Sequence, residues 1–500
     1  MTASPKSPIQ NGFHHRGHRG HGEQTEKKLW VNNQGSVIST RASRSSFLCG
    51  LCALRGESLH RGTRRVASWL WLGSAVFLVG LMFMPGCGSS STTTTTTTTA
   101  PPPVANSIAV AVNGGPANNA VNAAYVSVEV CNPGGTTNCV TIPDVLVDTG
   151  SSGLRILASA PGVSSLTFTP EMGSGSPVYE CVQYADGNYI WGQVEQADVS
   201  MAGENATSVP IQVIATGNAP SSVSCASGGS NLNTSTALQA NGILGIGTSI
   251  QDCGSACTGS SVPPYYWLCP SSGCTNAAVE LATQVSNPVA FFNGSDNNGV
   301  VLTMNSLGTA GSASGAATAS GTLYFGIATQ SDNALSSSVK VYALSLNAED
   351  SDSIFAIYNK ATYPAYVDSA LYLNFFLDPA TVEAYSAGAG ISNCEANNGV
   401  NYYCTSSPVS LPFTAQDTSG DSASQTLSIG NGATLYNSSV AEGGSNTAFS
   451  NLAGGVAPAN DEVILGMPFF YGKTVYVGIS GKTAPSGVPT SAVDFGYWAF

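Results

Sequence analysis

Two short patterns recur in this 500-residue chain in the same order and at nearly the same spacing. The apolar run Val145-Leu146-Val147 ends in Asp148-Thr149-Gly150-Ser151, and Ile243-Leu244-Gly245 follows. Tyr366-Val367 ends in Asp368-Ser369-Ala370, and Ile464-Leu465-Gly466 follows. Gly245 lies 97 residues after Asp148, and Gly466 lies 98 after Asp368. One such pair arises readily by chance, but two in the same order imply two halves built on one plan. Each half must carry an apolar strand up to an aspartate on a tight turn. That requirement confines the chain to a two-lobed arrangement of strands.

The text between the patterns supports strands over helices. Tyr125 to Val130 alternates, and Val140 to Val147 is apolar around Pro143. Tyr189-Ile190-Trp191, Val209 to Ile214, Val300-Val301-Leu302, Leu323-Tyr324-Phe325 and Val339 to Leu346 continue the series between Gly and Asn clusters. Val279 to Val285 is the best short helix candidate. The small-residue stretch Gly308 to Gly321 reads either as an interdomain linker or as a long hairpin loop between two strands. Four segments follow: 1–87, a tail with a signal segment; 88–103, a Ser/Thr/Pro tether; 104–326, a first lobe; and 327–500, a second.

Charge separates the leader from the body. Eleven of the 16 Lys and Arg and all five His lie within residues 1–65, leaving five cations against 26 acids downstream. So acidic a surface repels phosphate backbones, which excludes nucleic acid as a partner. A histidine-dependent triad is likewise excluded from a mature chain that begins beyond residue 65.

Arg64-Arg65 precede an uncharged apolar run from Val66 to Met84, then Pro85-Gly86-Cys87-Gly88 and eight consecutive threonines. A basic flank, an apolar core and a small residue before the break follow signal-peptide grammar. The break resembles the lipobox of bacterial lipoproteins, although Met84-Pro85 stands where Leu-Ala or Leu-Ser is usual. The resemblance implies lipidation at Cys87 and a body anchored in the bacterial cell envelope, facing the periplasm or the outer membrane. An uncleaved helix anchor is the rival reading, since 19 apolar residues suffice to span a bilayer. Ten cysteines remain past Cys87, an even number that suits disulfides in an exported chain. Cys131 with Cys139 and Cys394 with Cys404 each bracket a short loop and are the preferred local pairs. Pairing among Cys253, Cys257, Cys269 and Cys274 stays open. A zinc site there is disfavoured by the missing histidines, so neither metal nor cofactor is expected.

The aspartates carry the chemistry. Gly150 permits a tight turn whose backbone N–H groups approach the Asp148 carboxylate, and Thr149 offers a hydroxyl for bracing the loop. Two such loops set opposite each other let two carboxyls share one proton. The pair then activates a water for attack on an amide carbonyl. Asp148-Thr149-Gly150-Ser151-Ser152 with Leu154, followed by Ile243-Leu244-Gly245, resembles the first lobe of pepsin-like aspartic peptidases. Tyr184-Ala185-Asp186-Gly187 falls where that family has its β-hairpin flap. Gly321-Thr322-Leu323-Tyr324-Phe325-Gly326 is similar to the stretch closing its first lobe. Asp368-Ser369 with Ile464-Leu465-Gly466 resembles the second lobe, and Asp148 to Arg155 with the patterned cysteines is similar to a bacterial family of unknown function with pepsin-like motifs. The resemblance spans about Val104 to Phe500. It implies an all-β, two-lobed, monomeric endopeptidase acting on a peptide or protein held in the cleft. Asp148 and Asp368 would be the dyad, Thr149, Gly150, Ser151 and Ser369 would brace the loops, and Tyr184, Asp186 and Gly187 would form the flap.

The second loop departs from the pattern. Ala370 replaces a glycine, and Leu371 replaces the Ser or Thr that donates to the aspartate; such a bond is worth roughly 1.5–3 kcal/mol. Arg155 stands where a tryptophan supports the flap tyrosine; either it pairs with an acid, or as a cation near the dyad it favours full ionisation of the pair. Two further functions therefore stand beside the peptidase: a pepsin-fold binding protein with impaired chemistry, and a structural surface protein suggested by the Thr tether.

Overall fold

The computed structural model describes residues 106–500, except 136–137, 185–186, 227–228, 309–313, 345–352, 386–387, 389 and 456–461, and the backbone strands 26–31 and 37–42. Cys87, the apolar run 66–84, the tether 88–103 and Asp186 lie outside the described residues. Glu26–Val31 and Val37–Ala42 pair as an antiparallel hairpin. Among the described residues no helix is long and apolar enough to cross a membrane.

The body is all-β and two-lobed. One large curled sheet closes on itself, and a separate seven-stranded sheet forms the second lobe. The lobes share a layer of antiparallel strands in the order Ser107–Val112, Ala319–Phe325, Gly299–Met304, Thr474–Gly478, Tyr497–Ala499, Val341–Ala343. Three of these strands come from each half of the chain, so the lobes are joined by backbone hydrogen bonds as well as by packing. The stretch from Gly308 to Gly321 connects two of them, with Met304 opposite Gly321. It is a hairpin connection, and Ala316 N–H reaches the second lobe at Ala448 O, 2.8 Å away.

Both recurring patterns become the same local structure. The strand Cys139–Asp148 lies parallel to Gly242–Ile246, which lies antiparallel to Ser152–Leu157. In the second lobe, Ala361–Val367 lies parallel to Val463–Leu465, which pairs with Asn374–Phe376. Asp148 is opposite Gly245, and Asp368 N–H donates to Leu465 O, 3.0 Å away. The glycines are required because the returning chain passes directly over them. An added Cβ would meet Gly153 O at 2.8 Å from Gly245, and Leu373 O at 2.1 Å from Gly466. The apolar residues ahead of each aspartate, Val145 and Val147 in one lobe and Ala365 and Val367 in the other, are fully buried in one continuous core. That core holds the loops from below.

The Val279–Val285 stretch is not a helix. It contains one 3-10 turn, Leu281–Thr283, between extended Glu280 and Gln284. Val279 and Val285 are both buried in a side cluster with Tyr266 and Cys257, so the two ends of the segment are fixed by packing that a continuous helix would not satisfy.

Five disulfides staple the body: Cys131–Cys139, Cys181–Cys225, Cys253–Cys257, Cys269–Cys274 and Cys394–Cys404. The two expected local pairs form, and the four cysteines left open pair with their nearest partners. Glu129 lies close to Cys131 and Cys139, but the disulfide occupies both sulfurs and leaves no thiolate for a metal.

Candidate functional site

The two aspartate turns meet where the lobes meet. Thr149 Oγ1 donates to Val367 O at 3.1 Å and accepts from Ser369 N–H at 2.9 Å. Ser369 Oγ donates to Val147 O at 2.8 Å and accepts from Thr149 N–H at 3.1 Å. Each hydroxyl thus satisfies one backbone donor and one backbone acceptor of the opposite loop. All of these groups are buried, so the four bonds fix the spacing of the loops at a place where water cannot substitute.

Gly150 touches both carboxyls. Its N–H donates to Asp148 Oδ1 at 2.8 Å. A Cβ added to it would lie 2.5 Å from Asp368 Cγ and 2.6 Å from Asp368 Oδ2. The glycine seen in the sequence as a turn former therefore also lets the second carboxyl close over the first loop. Asp148 is fully buried and Asp368 is 4% exposed.

The two loops differ at the third residue after the acid. Asp148 Oδ1 also accepts Ser151 N–H at 3.1 Å, and Oδ2 accepts the Ser151 hydroxyl in a short bond. Asp368 Oδ1 accepts Ala370 N–H at 2.9 Å, the counterpart of the Gly150 bond. The next counterpart is missing in kind. Leu371 has no hydroxyl, its N–H goes to Asp368 backbone O at 3.3 Å, and its side chain is fully buried with Tyr372, Leu373 and Phe449. This position was given to the core of the second lobe. Alanine at 370 keeps the backbone donor, which is all that the glycine supplied to its own aspartate.

Burial pushes the Asp148 carboxyl up to about 7, against the opposing pull of the Ser151 hydroxyl, Gly150 N–H, the Arg155 charge and Ser151 N–H. Of the two readings of Arg155, pairing with an acid holds and ionisation of the dyad does not. Arg155 is buried and committed elsewhere, with Nη2 2.6 Å from Glu180 Oε1 and 2.7 Å from Asp252 Oδ2. Its pull on Asp148 is too weak to offset desolvation.

The flap segment is a hairpin of Ser176–Gln183 and Tyr189–Met201. Tyr184 begins its turn, accepting Gly187 N–H at 2.9 Å, and Gly187 has the positive φ of 85° that the turn needs. Tyr184 is buried in the first-lobe core instead of standing in solvent. Neighbouring chain pins the hairpin. Tyr189 N–H donates to Ser230 O, Leu232 N–H donates to Tyr189 O, and Cys181 is bonded to Cys225.

Asn122 was missed from the sequence. It has a φ of 49° and is fully buried between the lobes. Its Nδ2 donates to Tyr372 O at 2.7 Å and Phe449 O at 3.0 Å. Its Oδ1 accepts Phe449 N–H at 2.7 Å and the Tyr471 hydroxyl at 3.0 Å. Two donors and two acceptor positions are all an Asn side chain has, and all are used to clamp the first lobe to the chain following Leu371. No sequence pattern marked it, because its partners lie 250 or more residues away.

A search of curated proteins found no match. Among solved structures, the crystal structure of aspartic proteinase from Irpex lacteus is similar to this chain at 15% sequence identity and a TM-score of 0.44, over 79% of this chain and 96% of that one. A family model described as Protein of unknown function (DUF3443) matches residues 102–500. The chain belongs to that family.

Proposed function

We propose that this protein binds an extended peptide or protein segment in the cleft between its lobes, over Asp148 and Asp368, with its hydrolytic chemistry impaired. The observation that carries this reading is the combination of a complete Thr149–Ser369 clamp with a buried leucine, Leu371, at the position where the first loop has the Ser151 hydroxyl. The clamp maintains a site made from both lobes, which a purely structural protein would not need. Leu371 withholds from Asp368 the hydroxyl that Ser151 gives to Asp148. Gly187, at the hairpin turn, would border the bound segment. An acid holding its proton beside a second acid is suited to hydrogen-bonding a peptide carbonyl and N–H together.

Aspartic-type endopeptidase activity is the second reading, favoured by the raised Asp148 carboxyl, which keeps a proton available well into the neutral range. A mixed peptide library incubated with the purified protein from pH 3 to 7 separates the two. Retention without new termini supports binding. Pepstatin-sensitive cleavage that vanishes in both Asp148→Asn and Asp368→Asn establishes the peptidase. Neither retention nor cleavage sinks both.

We also propose that Cys87 is lipidated and tethers the body to the bacterial envelope through residues 88–103, on the strength of the basic flank, apolar run and small residue before the cysteine. Labelling of cells with an alkynyl fatty acid should mark the wild-type chain and not Cys87→Ser; equal labelling of both would reject the anchor.

A further inference from the structure

A buried charge cluster joins the strand leaving Asp148 to the flap hairpin, outside the residues that face the peptide site. Arg155 Nη2 touches Glu180 Oε1 and Asp252 Oδ2, and all three side chains are 4% exposed or less. Arg155 Nη1 donates to Ser152 O at 2.9 Å. The Tyr266 hydroxyl donates to Asp252 Oδ1 at 2.6 Å and accepts Val285 N–H at 2.8 Å. Glu180 Oε2 is buried with no hydrogen-bond partner among the described residues.

Two carboxylates on one guanidinium nitrogen leave one negative charge unneutralised, and a buried unpaired charge is strongly disfavoured. A single proton shared by the Glu180 and Asp252 carboxyls removes the excess charge. We propose that Arg155, Glu180 and Asp252 form a proton-dependent latch holding the base of the flap hairpin against the strand that leaves Asp148.

The surroundings name the proton's holder. Burial, then the Glu180 carboxylate, keep Asp252 well above the ordinary carboxylate range, against the pull of Arg155 and the Tyr266 hydroxyl. The other ionisable groups facing the cluster are Tyr266, which opens the strand beside the flap, Tyr265 just before it, Tyr184 from the hairpin turn, and Asp148 at the end of the strand before that of Arg155. Both Tyr265 and Tyr266 are raised well above their ordinary range, so they stay protonated. No histidine exists beyond His60 to take the role. A carboxyl whose folded-state value is raised contributes fully below the ordinary carboxylate range and loses that contribution as pH rises through its folded value. The latch is therefore closed in acid and loosens toward alkaline pH. Cys181–Cys225 holds the same hairpin strand next to Glu180, which keeps the loosening local. Any effect on peptide capture rests on the proposed function; the latch itself does not.

Hydrogen exchange on the purified full-length protein from pH 5 to 9, corrected for intrinsic rates, tests this on the amides of residues 152–157 and 176–183. Wild-type protection should fall with rising pH, by up to about tenfold per pH unit for one linked proton. In an Asp148→Asn background, which removes that acid's own titration, Asp252→Asn keeps a donor beside Glu180 at every pH and Glu180→Gln removes the excess charge independently, so protection should be flat in either variant that folds. A pH-independent wild-type profile overturns the latch, as does the wild-type slope persisting in a folded variant. Because the readout is exchange, failure of peptide binding would remove the proposed function and leave the latch standing.

Discussion

The Asp148 and Asp368 turns share a backbone and differ in what surrounds the acid. Each is an apolar strand running into an aspartate, braced by a hydroxyl at the next position and paired with a parallel strand near whose end a glycine, Gly245 or Gly466, lies under the returning chain. Each aspartate accepts the N–H two residues on, from Gly150 or Ala370. They part at the third residue, where Ser151 bonds the carboxylate and Leu371 enters the core. The comparison separates two demands on such a turn. Backbone geometry, the interlobe clamp and the N–H two residues on were kept on both sides, whereas the hydroxyl at the third residue was kept on one. Holding the site together and tuning its acidity are therefore distinct properties, built from different atoms.

The largest expected effect concerns Asp148 itself. Its folded-state value of about 7 against an ordinary 3.8 means that the folded chain holds a proton the unfolded chain releases. Stability from this source is complete below about 3.8 and is lost as pH rises through 7, by up to about 4 kcal/mol at about 1.4 kcal/mol per unit. Asp148→Asn should escape the loss, with a Tm above wild type at pH 8 and no such gain at pH 4 by differential scanning calorimetry. Next comes a contrast of substitutions. Gly150→Ala drives a Cβ into the Asp368 carboxyl and should cost about 3 kcal/mol by urea unfolding. Ala370→Gly should stay within about 1 kcal/mol, and equal costs would show that the two positions are not asymmetric after all.

Breaking the clamp is expected to cost about 2 kcal/mol from either side, since Thr149→Val or Ser369→Ala leaves one N–H and one carbonyl buried without partners. Their double variant should lose less than the sum, because both act on one network; additive losses would mean the loops are held independently. The smallest effect belongs to Ser151→Ala. Removing its hydroxyl should cost about 1 kcal/mol and move the Asp148 titration upward from about 7 by carboxyl-carbon NMR. A downward or absent shift would show that Ser151 is not what distinguishes this acid from its partner.

The sequence made the two-lobed plan legible because both patterns encode local requirements: an apolar strand to bury, a hydroxyl after the acid, and a glycine under a crossing chain. The short disulfides Cys131–Cys139 and Cys394–Cys404 were legible for the same reason. The features that escaped depend on distant partners. That Arg155 could pair with an acid was legible, but not with which acids, because Glu180 and Asp252 arrive from the hairpin and a later loop. Asn122 drew no notice because its partners lie in the other lobe. Val279–Val285 suggested a helix because periodicity records which residues are apolar, and two anchored ends in a side cluster produce the same spacing.

The central claim is that two unlike aspartates from two lobes make one peptide site. Titration calorimetry at pH 5, with the peptide best retained from the library, tests it in wild type, Asp148→Asn and Asp368→Asn. The account predicts that either substitution weakens binding by a similar factor, about tenfold or more, equivalent to about 1.4 kcal/mol. Binding that survives both substitutions, or responds to only one, would contradict it.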